Sequence, residues 1–345
     1  MAYSIEDFDF ELPQELIAGD PLDERSASRM LAVDRSSRSF DDKRFAELPD
    51  FLHPGDVLVI NNTKVFPARL YGTTTTGAKI EVFLVEDAGG GVWTTLARPA
   101  KRLAAGKHIE FGPGLSAEVL EREDGGSVRL RFESDGDLDS AIDRLGRTPL
   151  PPYIKRAADA LDADRDRYQT VFAKERGAIA APTAGLHFTP EVLSAIRNKG
   201  VTVTEVTLHV GYGTFEPVRV DDISKHRVQP ERYVMDKVTA DTLNSAKRSA
   251  RRIVAVGTTT TRSLEYNFAK FGEFASDAGA ADITVVPGYE FRAVDALLTN
   301  FHLPKSSLLF LVSAFAGREL IMEAYRHAVE KRYRFYSYGD CMFIR

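Results

Sequence analysis

The stretch Pro54-Gly-Asp-Val-Leu-Val-Ile-Asn-Asn-Thr63 contains the clearest buried-strand pattern before the sequence changes character. Its centre, Asp56–Ile60, is a short apolar run with β-forming residues, and turn-forming residues bound it on both sides. This pattern predicts a strand that is buried on both faces.

The sequence after this strand changes to short β-like runs separated by glycine-rich turns. The runs are 68–71, 80–86, 93–98, 108–111, 117–122 and 128–133. In the last of them Val128, Leu130 and Phe132 alternate with two arginines, as in a half-buried strand. Regularly spaced strands without a helix between them predict a small closed sheet or barrel. A single predicted strand precedes this block and helix-rich sequence follows it, so we interpret the block as an insertion.

From residue 150 onward the pattern alternates between strands and helices. Helices are predicted from Pro190 to about 198, over 240–252, over 262–271 and around 320–328. Strands are predicted at 201–210 and 253–256, and 157–167 is either an exposed mobile loop or a short helix. We therefore predict an α/β fold: a layered α/β main domain with a largely parallel sheet, formed by 1–65 plus 151–345, and an inserted small antiparallel β-barrel domain at 66–150.

Length, charge and cysteine content exclude several protein classes. The chain has 345 residues and a net charge of −5, which favours two domains and argues mildly against a nucleic-acid partner. The single cysteine, Cys341, excludes an intrachain disulfide and a cysteine-rich metal site. The acidic N-terminus lacks the features of a signal peptide, and the most apolar stretch, 308–316, is too short to cross a bilayer. We expect a soluble, cytoplasmic protein without membrane association.

Two segments combine small residues with a histidine. The first is Ala181–Thr189, where Thr183 and Gly185 would let a ligand approach the backbone and His187 would titrate near neutral pH. The second is Thr207–Phe215, where His209 precedes a Gly-x-Gly loop near a predicted strand end, a common position for ligands in α/β folds. For both segments the alternative is a tight turn without a ligand.

Two further segments carry hydroxyl, amide and acidic groups. In Val256–Leu264 a strand, a glycine and four threonines precede a helix, which suits a carboxylate or phosphate but lacks the Walker lysine. The alternative is that the threonines serve only as helix caps. In Thr299–Lys305, Asn300 and His302 alternate with Phe301, and Glu290 upstream is either a base or a solvated carboxylate.

Several well-known catalytic patterns are missing from the sequence. No two histidines lie three to five residues apart, so a metal site is poorly supported. There is no Gly-x-Ser-x-Gly elbow, and no Gly-x-Gly-x-x-Gly follows a strand. These residue patterns alone predict an α/β enzyme with a cleft rich in hydroxyl groups and histidines.

The same segments, in this order, resemble the S-adenosylmethionine:tRNA ribosyltransferase-isomerases of queuosine biosynthesis. The resemblance covers essentially the whole chain. It rests on 8–13, 26–29, 61–65, 67–70, 98–102, 150–155, 168–171, 181–189, 208–215, 256–265, 287–291, 295–305 and 336–340. The departures that we find are Asn62, Tyr212, Gln229, Pro230, Thr260, Thr261 and Cys341. The replacement at 229–230 of a histidine-containing stretch argues against an essential proton-transfer role there.

The resemblance implies an unusual reaction of S-adenosylmethionine. The ribosyl part would move to the aminomethyl group of 7-aminomethyl-7-deazaguanine at the tRNA wobble position and isomerise to an epoxycyclopentane, with release of adenine and methionine. It implies no metal and no prosthetic group, an α/β domain interrupted by a β-barrel, and a monomer. The alternatives are an S-adenosylmethionine-dependent tRNA methyltransferase and a tRNA-binding protein without catalysis.

This chemistry requires a base for the ribose proton, an acceptor for the amine proton and a cradle for the methionine carboxylate. The candidates for proton transfer are His187, His209, Glu290, His302 and Asp340. The candidates for binding S-adenosylmethionine are Thr183, Gly185, Gly211, Gly213, Gly257, Thr258, Thr259, Arg262 and Asn300. The sequence does not assign a step to any one of them.

Basic residues are unevenly distributed although the net charge is negative. Those at the insertion and at its exit are expected to contact tRNA, the alternative being a solvated face. They are Arg98, Lys101, Arg102, Lys155 and Arg156.

Overall fold

The computed structural model describes residues 3–123, 126–151, 153–154, 161–211 and 217–345. The chain forms two compact units. The first contains Met1–Lys64, Gln169–Glu175 and Ala181–Arg345, and the second contains Val65–Tyr168 and Arg176–Ala180.

The regular elements of the described residues are as follows. The strands are β1 (Arg29–Asp34), β2 (Ser39–Arg44), β3 (Val57–Asn61), β4 (Thr63–Val65), β5 (Arg69–Thr74), β6 (Lys79–Gly89), β7 (Val92–Arg98), β8 (His108–Gly112), β9 (Leu115–Arg122), β10 (Ser127–Ser134), β11 (Glu175–Ala178), β12 (Thr202–Leu208), β13 (Glu231–Met235), β14 (Ile253–Val256), β15 (Asp277–Ala281), β16 (Ala296–Asn300) and β17 (Cys341–Ile344). The α-helices are α1 (Leu138–Leu145), α2 (Leu161–Arg167), α3 (Pro190–Asn198), α4 (Lys237–Arg248), α5 (Thr258–Phe271), α6 (Ser307–Ala316) and α7 (Arg318–Glu330). Short 3₁₀ turns occupy Ile5–Phe8, Gln14–Leu16, Arg25–Ala27, Phe45–Phe51, Ala100–Arg102, Thr183–His187 and Ile223–Lys225.

The first unit is built on a nine-stranded sheet in the order β15-β13-β12-β3-β14-β16-β17-β1-β2. The pairs β12·β3, β3·β14, β14·β16 and β17·β1 are parallel. The pairs β15·β13, β13·β12, β16·β17 and β1·β2 are antiparallel. The sheet is therefore mixed, and the prediction of a largely parallel sheet is wrong for its two flanks.

The predicted buried strand at Asp56–Ile60 is confirmed as β3, which lies between two parallel neighbours. All five of its residues are buried, and Leu58 and Ile60 belong to a hydrophobic cluster that also contains Phe188 and Leu298. Burial on both faces explains why its sequence is a continuous apolar run and does not alternate.

Helix α3 shows how local sequence sets an element's ends. The Thr189 hydroxyl accepts a hydrogen bond from the Val192 amide at 3.3 Å, and Pro190 takes the first helical position. The helix ends before Gly200, which has a φ of 84°. The predicted bounds are confirmed here, whereas α5 begins at Thr258, four residues before the predicted start at Arg262.

Several elements of the first unit were not predicted. β1 and β2 precede the second unit together with β3, so the prediction of a single preceding strand is wrong. β2, Ser-Phe-Asp-Asp-Lys-Arg, is an exposed edge strand whose charges hide the strand pattern. β16 and β17 are short, fully buried runs, which sequence periodicity cannot distinguish from helical segments.

The second unit contains a closed barrel of six antiparallel strands in the order β10-β7-β6-β5-β8-β9. All six strands predicted for this block are confirmed. Val128, Leu130 and Phe132 point into the barrel core together with Trp93, the sole tryptophan of the chain. α1 was not predicted; its Ile142 packs on the same core.

The segment 157–167 is helical from Leu161 to Arg167, and its first four residues lie outside the described part of the chain. Across the described ranges, no helix combines the length and the apolar character that a membrane crossing requires.

Candidate functional site

The carboxyl ends of four parallel strands meet at one edge of the main sheet. β12, β3, β14 and β16 are consecutive neighbours that run in the same direction. Their last residues, Leu208, Asn61, Val256 and Asn300, bring the segments that follow them to this edge. Ligands of α/β proteins bind at such an edge, and the sequence predicts that His209 lies there.

A cleft lies at this edge and brings together four of the predicted segments. It is lined by Ala181, Pro182, Thr183, Ala184, Val210, Gly257, Thr258, Thr259, Thr299, Asn300, Phe301, His302, Leu308, Tyr336 and Ser337. Its volume of about 50 Å³ holds a few water molecules or one small polar group of a larger ligand. The lining is mostly apolar or hydroxylic, and it contains no carboxylate among the described residues.

Helix α5 starts in this cleft. Gly257 at its N-cap has φ 96° and ψ 149°, a backbone conformation that residues other than glycine rarely adopt. No side chain caps the helix through a hydrogen bond. The first amide groups of a helix have no partner within the helix, and they form the positive end of its dipole. With Thr258 and Thr259 in the lining, this end of α5 is suited to bind an anionic group.

Arg262 does not line the cleft. Its guanidinium forms an ion pair with Glu231 at 2.7 Å, and both side chains are 4% exposed. Its Nε and Nη2 also donate to the carbonyl oxygens of Ile283, Ala281 and Gln229 at 3.1–3.4 Å. The side chain therefore joins α5 to β13 and β15, which leaves the predicted contact with S-adenosylmethionine without support.

Two histidines of the candidate set are buried beside the cleft. His302 lines it, and its Nε2 lies 3.0 Å from the Thr299 hydroxyl. Its burial lowers its pKa to about 3. Burial also lowers the pKa of His187 to about 3, and the charges of Arg25 and Arg334 act in the same direction. Both imidazoles are therefore neutral at pH 7 and cannot serve as acids from a charged resting state.

His209 lies at the same edge of the sheet and is only half-buried. Its Nδ1 lies 2.8 Å from the Thr63 hydroxyl, and that hydroxyl lies 3.4 Å from the Glu175 carbonyl oxygen. Desolvation lowers the pKa of His209, the charge of Glu175 opposes this effect, and the charge of Arg232 adds to it. If Thr63 donates to the carbonyl, Nδ1 carries the imidazole proton and Nε2 is the unprotonated nitrogen.

The two predicted carboxylates are not in the cleft. Asp340 is buried and accepts hydrogen bonds from the backbone amides of Arg29 and Arg334 at 2.8 Å each, and the Arg29 side chain lies 3.4 Å away. Its oxygens thus hold two chain segments together. Glu290 is exposed in the loop before β16. A base at either position is not supported by these surroundings.

The predicted glycines differ in what surrounds them. A side chain at Gly185 would clash with Phe172 and Thr170 at 2.8 Å, so packing alone already requires a glycine here. Among the residues that the structure describes, no atom lies within 4 Å of a side chain built at Gly211, and Gly213 lies outside the described residues.

The barrel unit carries three of the predicted tRNA contacts. Arg98 ends β7, and Lys101 and Arg102 lie in the 3₁₀ turn that follows; all three are exposed. Lys155 and Arg156 lie outside the described residues.

Some residues of the site were not predicted from the sequence. Ser28 contacts His187, and Thr299, Tyr336 and Ser337 line the cleft. Ser28 and Tyr336 belong to segments, 26–29 and 336–340, that carried the resemblance, so the segments were found but their role was not. Among the described residues no group of three or more His, Cys, Asp or Glu side chains could hold a metal ion.

Fold and site together define an α/β protein with a six-stranded barrel unit and a cleft at the carboxyl ends of parallel strands. The family model described as "Queuosine biosynthesis protein" matches residues 5–344, and the chain belongs to this family.

The chain is similar over nearly its whole length to relatives that carry a specific name. Proteins of Geobacter metallireducens and Syntrophotalea carbinolica, both named S-adenosylmethionine:tRNA ribosyltransferase-isomerase, are each 50% identical over 342 residues, with 99% of both chains covered. The crystal structure of S-adenosylmethionine tRNA ribosyltransferase from Thermotoga maritima has a TM-score of 0.57 and 38% identity; the match covers 98% of this chain and 100% of that one.

Proposed function

We propose that this chain is an enzyme that transfers and isomerises the ribosyl part of S-adenosylmethionine onto tRNA in queuosine biosynthesis. The acceptor is the aminomethyl group of 7-aminomethyl-7-deazaguanine at the wobble position. The products are epoxyqueuosine-tRNA, adenine and methionine. The observation that carries this proposal is the 50% identity, over 99% of both chains, to two proteins named for this activity.

The cleft supports a binding role for S-adenosylmethionine as a co-substrate. The methionine carboxylate would bind at the start of α5, where the amide groups after Gly257 have no side-chain cap. The hydroxyls of Thr183, Thr258 and Thr259 add polar groups to the same cleft. No metal and no prosthetic group takes part in this proposal.

His209 is the proposed base for the acidic ribose proton next to the sulfonium. Its lowered pKa keeps the imidazole neutral at pH 7, and the Thr63 hydroxyl at 2.8 Å holds Nδ1. Nε2 is then available to accept a proton. A buried histidine such as His302 accepts a proton less readily, because burial disfavours its charged form.

The tRNA partner is proposed to contact the exposed basic residues of the barrel unit, Arg98, Lys101 and Arg102. Lys155 and Arg156 stay in this proposal on the sequence alone. The protein is proposed to act in the cytoplasm as a monomer, with 66–150 as a domain inserted into a main domain of 1–65 and 151–345.

Incubation with S-adenosylmethionine and tRNA that carries 7-aminomethyl-7-deazaguanine tests this function. The expected products are adenine and methionine in equal amounts, measured by liquid chromatography, together with a modified nucleoside in the tRNA. S-adenosylhomocysteine as the only product would indicate a methyltransferase. Binding of tRNA without any turnover would indicate a protein that only binds tRNA.

A further inference from the structure

A chain of hydrogen bonds runs from Ser28 through His187 to Asn300. The Ser28 hydroxyl lies 2.7 Å from His187 Nδ1 and 3.3 Å from the Arg25 carbonyl oxygen. At the other side of the ring, His187 Nε2 lies 3.3 Å from Asn300 Nδ2, which also donates to the Tyr336 carbonyl oxygen at 3.1 Å. Ser28, His187 and Asn300 are 3–5% exposed, so water does not compete for these contacts.

The two carbonyl oxygens at the ends of this chain determine its direction, because a carbonyl oxygen can only accept. Asn300 uses one N–H for Tyr336 and the other for His187 Nε2, which must then be the unprotonated nitrogen. His187 carries its proton on Nδ1 and donates it to the Ser28 hydroxyl, which in turn donates to Arg25. One neutral tautomer of His187 therefore satisfies every contact, and both ring nitrogens are occupied.

This arrangement leaves one polar atom unused at the cleft. Asn300 lines the cleft, and its Oδ1 is buried without a hydrogen-bond partner among the described residues. Buried side-chain oxygens are nearly always paired, and an unpaired one lowers the stability of the folded state unless a ligand supplies a donor.

We propose that Asn300 Oδ1 is the binding point for an amino group of the substrate, and that His187 is a positioning residue that fixes the orientation of Asn300. The second part differs from the first expectation for His187, which was proton transfer. The low pKa that burial gives His187 agrees with a neutral, non-titrating role.

The identity of the amino group rests on the proposed function. S-adenosylmethionine carries an α-ammonium group and the exocyclic amino group of adenine, and the tRNA base carries the aminomethyl group. In S-adenosylmethionine the α-ammonium group lies next to the carboxylate. Asn300 and the start of α5 line the same cleft. The three sources share N–H donor chemistry, so substrate analogues distinguish them.

The direct test measures binding of S-adenosylmethionine by equilibrium dialysis, beside steady-state kinetics. Asn300→Ala is expected to weaken binding about 10- to 100-fold, the usual effect of losing a hydrogen bond to a charged group. His187→Leu is expected to weaken binding to a similar extent. The double variant is expected to bind no more weakly than Asn300→Ala alone, because His187 acts through Asn300.

His187→Gln separates positioning from proton transfer. A glutamine amide can accept from Asn300 and donate to Ser28, so this variant is expected to keep kcat and the wild-type pH profile of kcat/KM, and to restore most of the affinity that His187→Leu loses. A fall in kcat of about 100-fold or more with loss of one limb of the pH profile would instead make His187 an acid–base group and overturn the positioning role. His53→Gln, at an exposed histidine, is the matched control, and circular dichroism checks that each variant is folded.

Analogues of S-adenosylmethionine identify the amino group. An analogue without the α-amino group should bind wild type and Asn300→Ala equally if this group contacts Oδ1, and an analogue without the adenine amino group should do so if that group makes the contact. An increase only in the KM for tRNA would assign the aminomethyl group. Unchanged affinity of Asn300→Ala for all substrates would overturn the role of Asn300. If the wild type still turns over its substrates in that case, the proposed function stands. Altered S-adenosylmethionine binding with no release of adenine and methionine by wild type would refute the proposed function alone, and absence of binding by wild type would overturn both.

Discussion

The buried ion pair of Arg262 and Glu231 gives a quantitative prediction, because it decides whether Arg262 supports the fold or binds substrate. Arg262→Met keeps much of the side-chain volume and removes the charge. Glu231 is then left 4% exposed without the ionic partner that now lies 2.7 Å away. Breaking a buried pair in this way costs about 3–5 kcal/mol of unfolding free energy. The carbonyl oxygens of Ile283 and Ala281 also lose a donor, which adds to the loss.

A double-mutant cycle isolates the pair. Arg262→Met combined with Glu231→Gln removes both charges of this ion pair. The double variant should therefore lose less unfolding free energy than the sum of the two single losses, by about 1.5 kcal/mol or more. Urea unfolding followed by far-ultraviolet circular dichroism measures each free energy, since α3 to α7 all belong to the first unit. Fluorescence of Trp93 is unsuitable for this purpose because that residue lies in the barrel unit.

A small loss of unfolding free energy in Arg262→Met would contradict the structural role of this ion pair. If Arg262→Met lost less than about 1 kcal/mol and its main effect were weaker binding of S-adenosylmethionine, then Arg262 would be a ligand residue, as the sequence first indicated.

Three further predictions follow from individual side chains. Gly257→Ala should lower the unfolding free energy by about 1–3 kcal/mol because of the φ of 96°. Gly136 has no positive φ, and no atom of the described ranges lies within 4 Å of a side chain built there, so Gly136→Ala should be within about 1 kcal/mol of wild type in the same urea assay. Lowering the pH from about 7 to 5 should destabilise the fold by about 2 kcal/mol for each of His187 and His302, because the unfolded imidazole protonates near pH 6.5 while the folded one stays neutral down to about pH 3. His302→Gln should remove about half of the loss that these two histidines cause, and the control His53→Gln should not. An unchanged pH dependence of the unfolding free energy in His302→Gln would contradict the low pKa of His302. Lys101→Gln with Arg102→Gln should weaken tRNA binding and flatten its dependence on salt concentration, and binding equal to wild type at all salt concentrations would exclude these residues from the interface.

Much of the fold could be predicted because its elements are encoded locally. The barrel strands alternate or are bounded by glycine turns, and α3 carries both of its end signals within about ten residues. The cleft was also foreseen in outline, because Gly257 follows one predicted strand, His209 lies near the end of another, and the carboxyl ends of parallel strands meet. β2 was missed because its charged residues hide the strand pattern. β17 was missed because a short, fully buried run cannot be distinguished from a helical segment by its periodicity.

The roles of individual site residues depended on partners far away in the chain, which no local pattern specifies. Arg262 finds Glu231 at a separation of 31 residues, and His187 finds Ser28 at a separation of 159. Asp340 is engaged by the backbone of Arg29, 311 residues earlier. A sequence indicates that an arginine, a histidine or an aspartate is present, whereas its partners determine whether it is free to act on a ligand.

A double-labelling experiment distinguishes ribosyl transfer from methyl transfer. The protein is incubated with precursor tRNA and S-adenosylmethionine that carries one label in the ribose and a second label in the methyl group. Ribosyl transfer predicts that the ribose label enters the tRNA while the methyl label remains in free methionine. Methyl label in the tRNA, with the ribose label retained in S-adenosylhomocysteine, would contradict it.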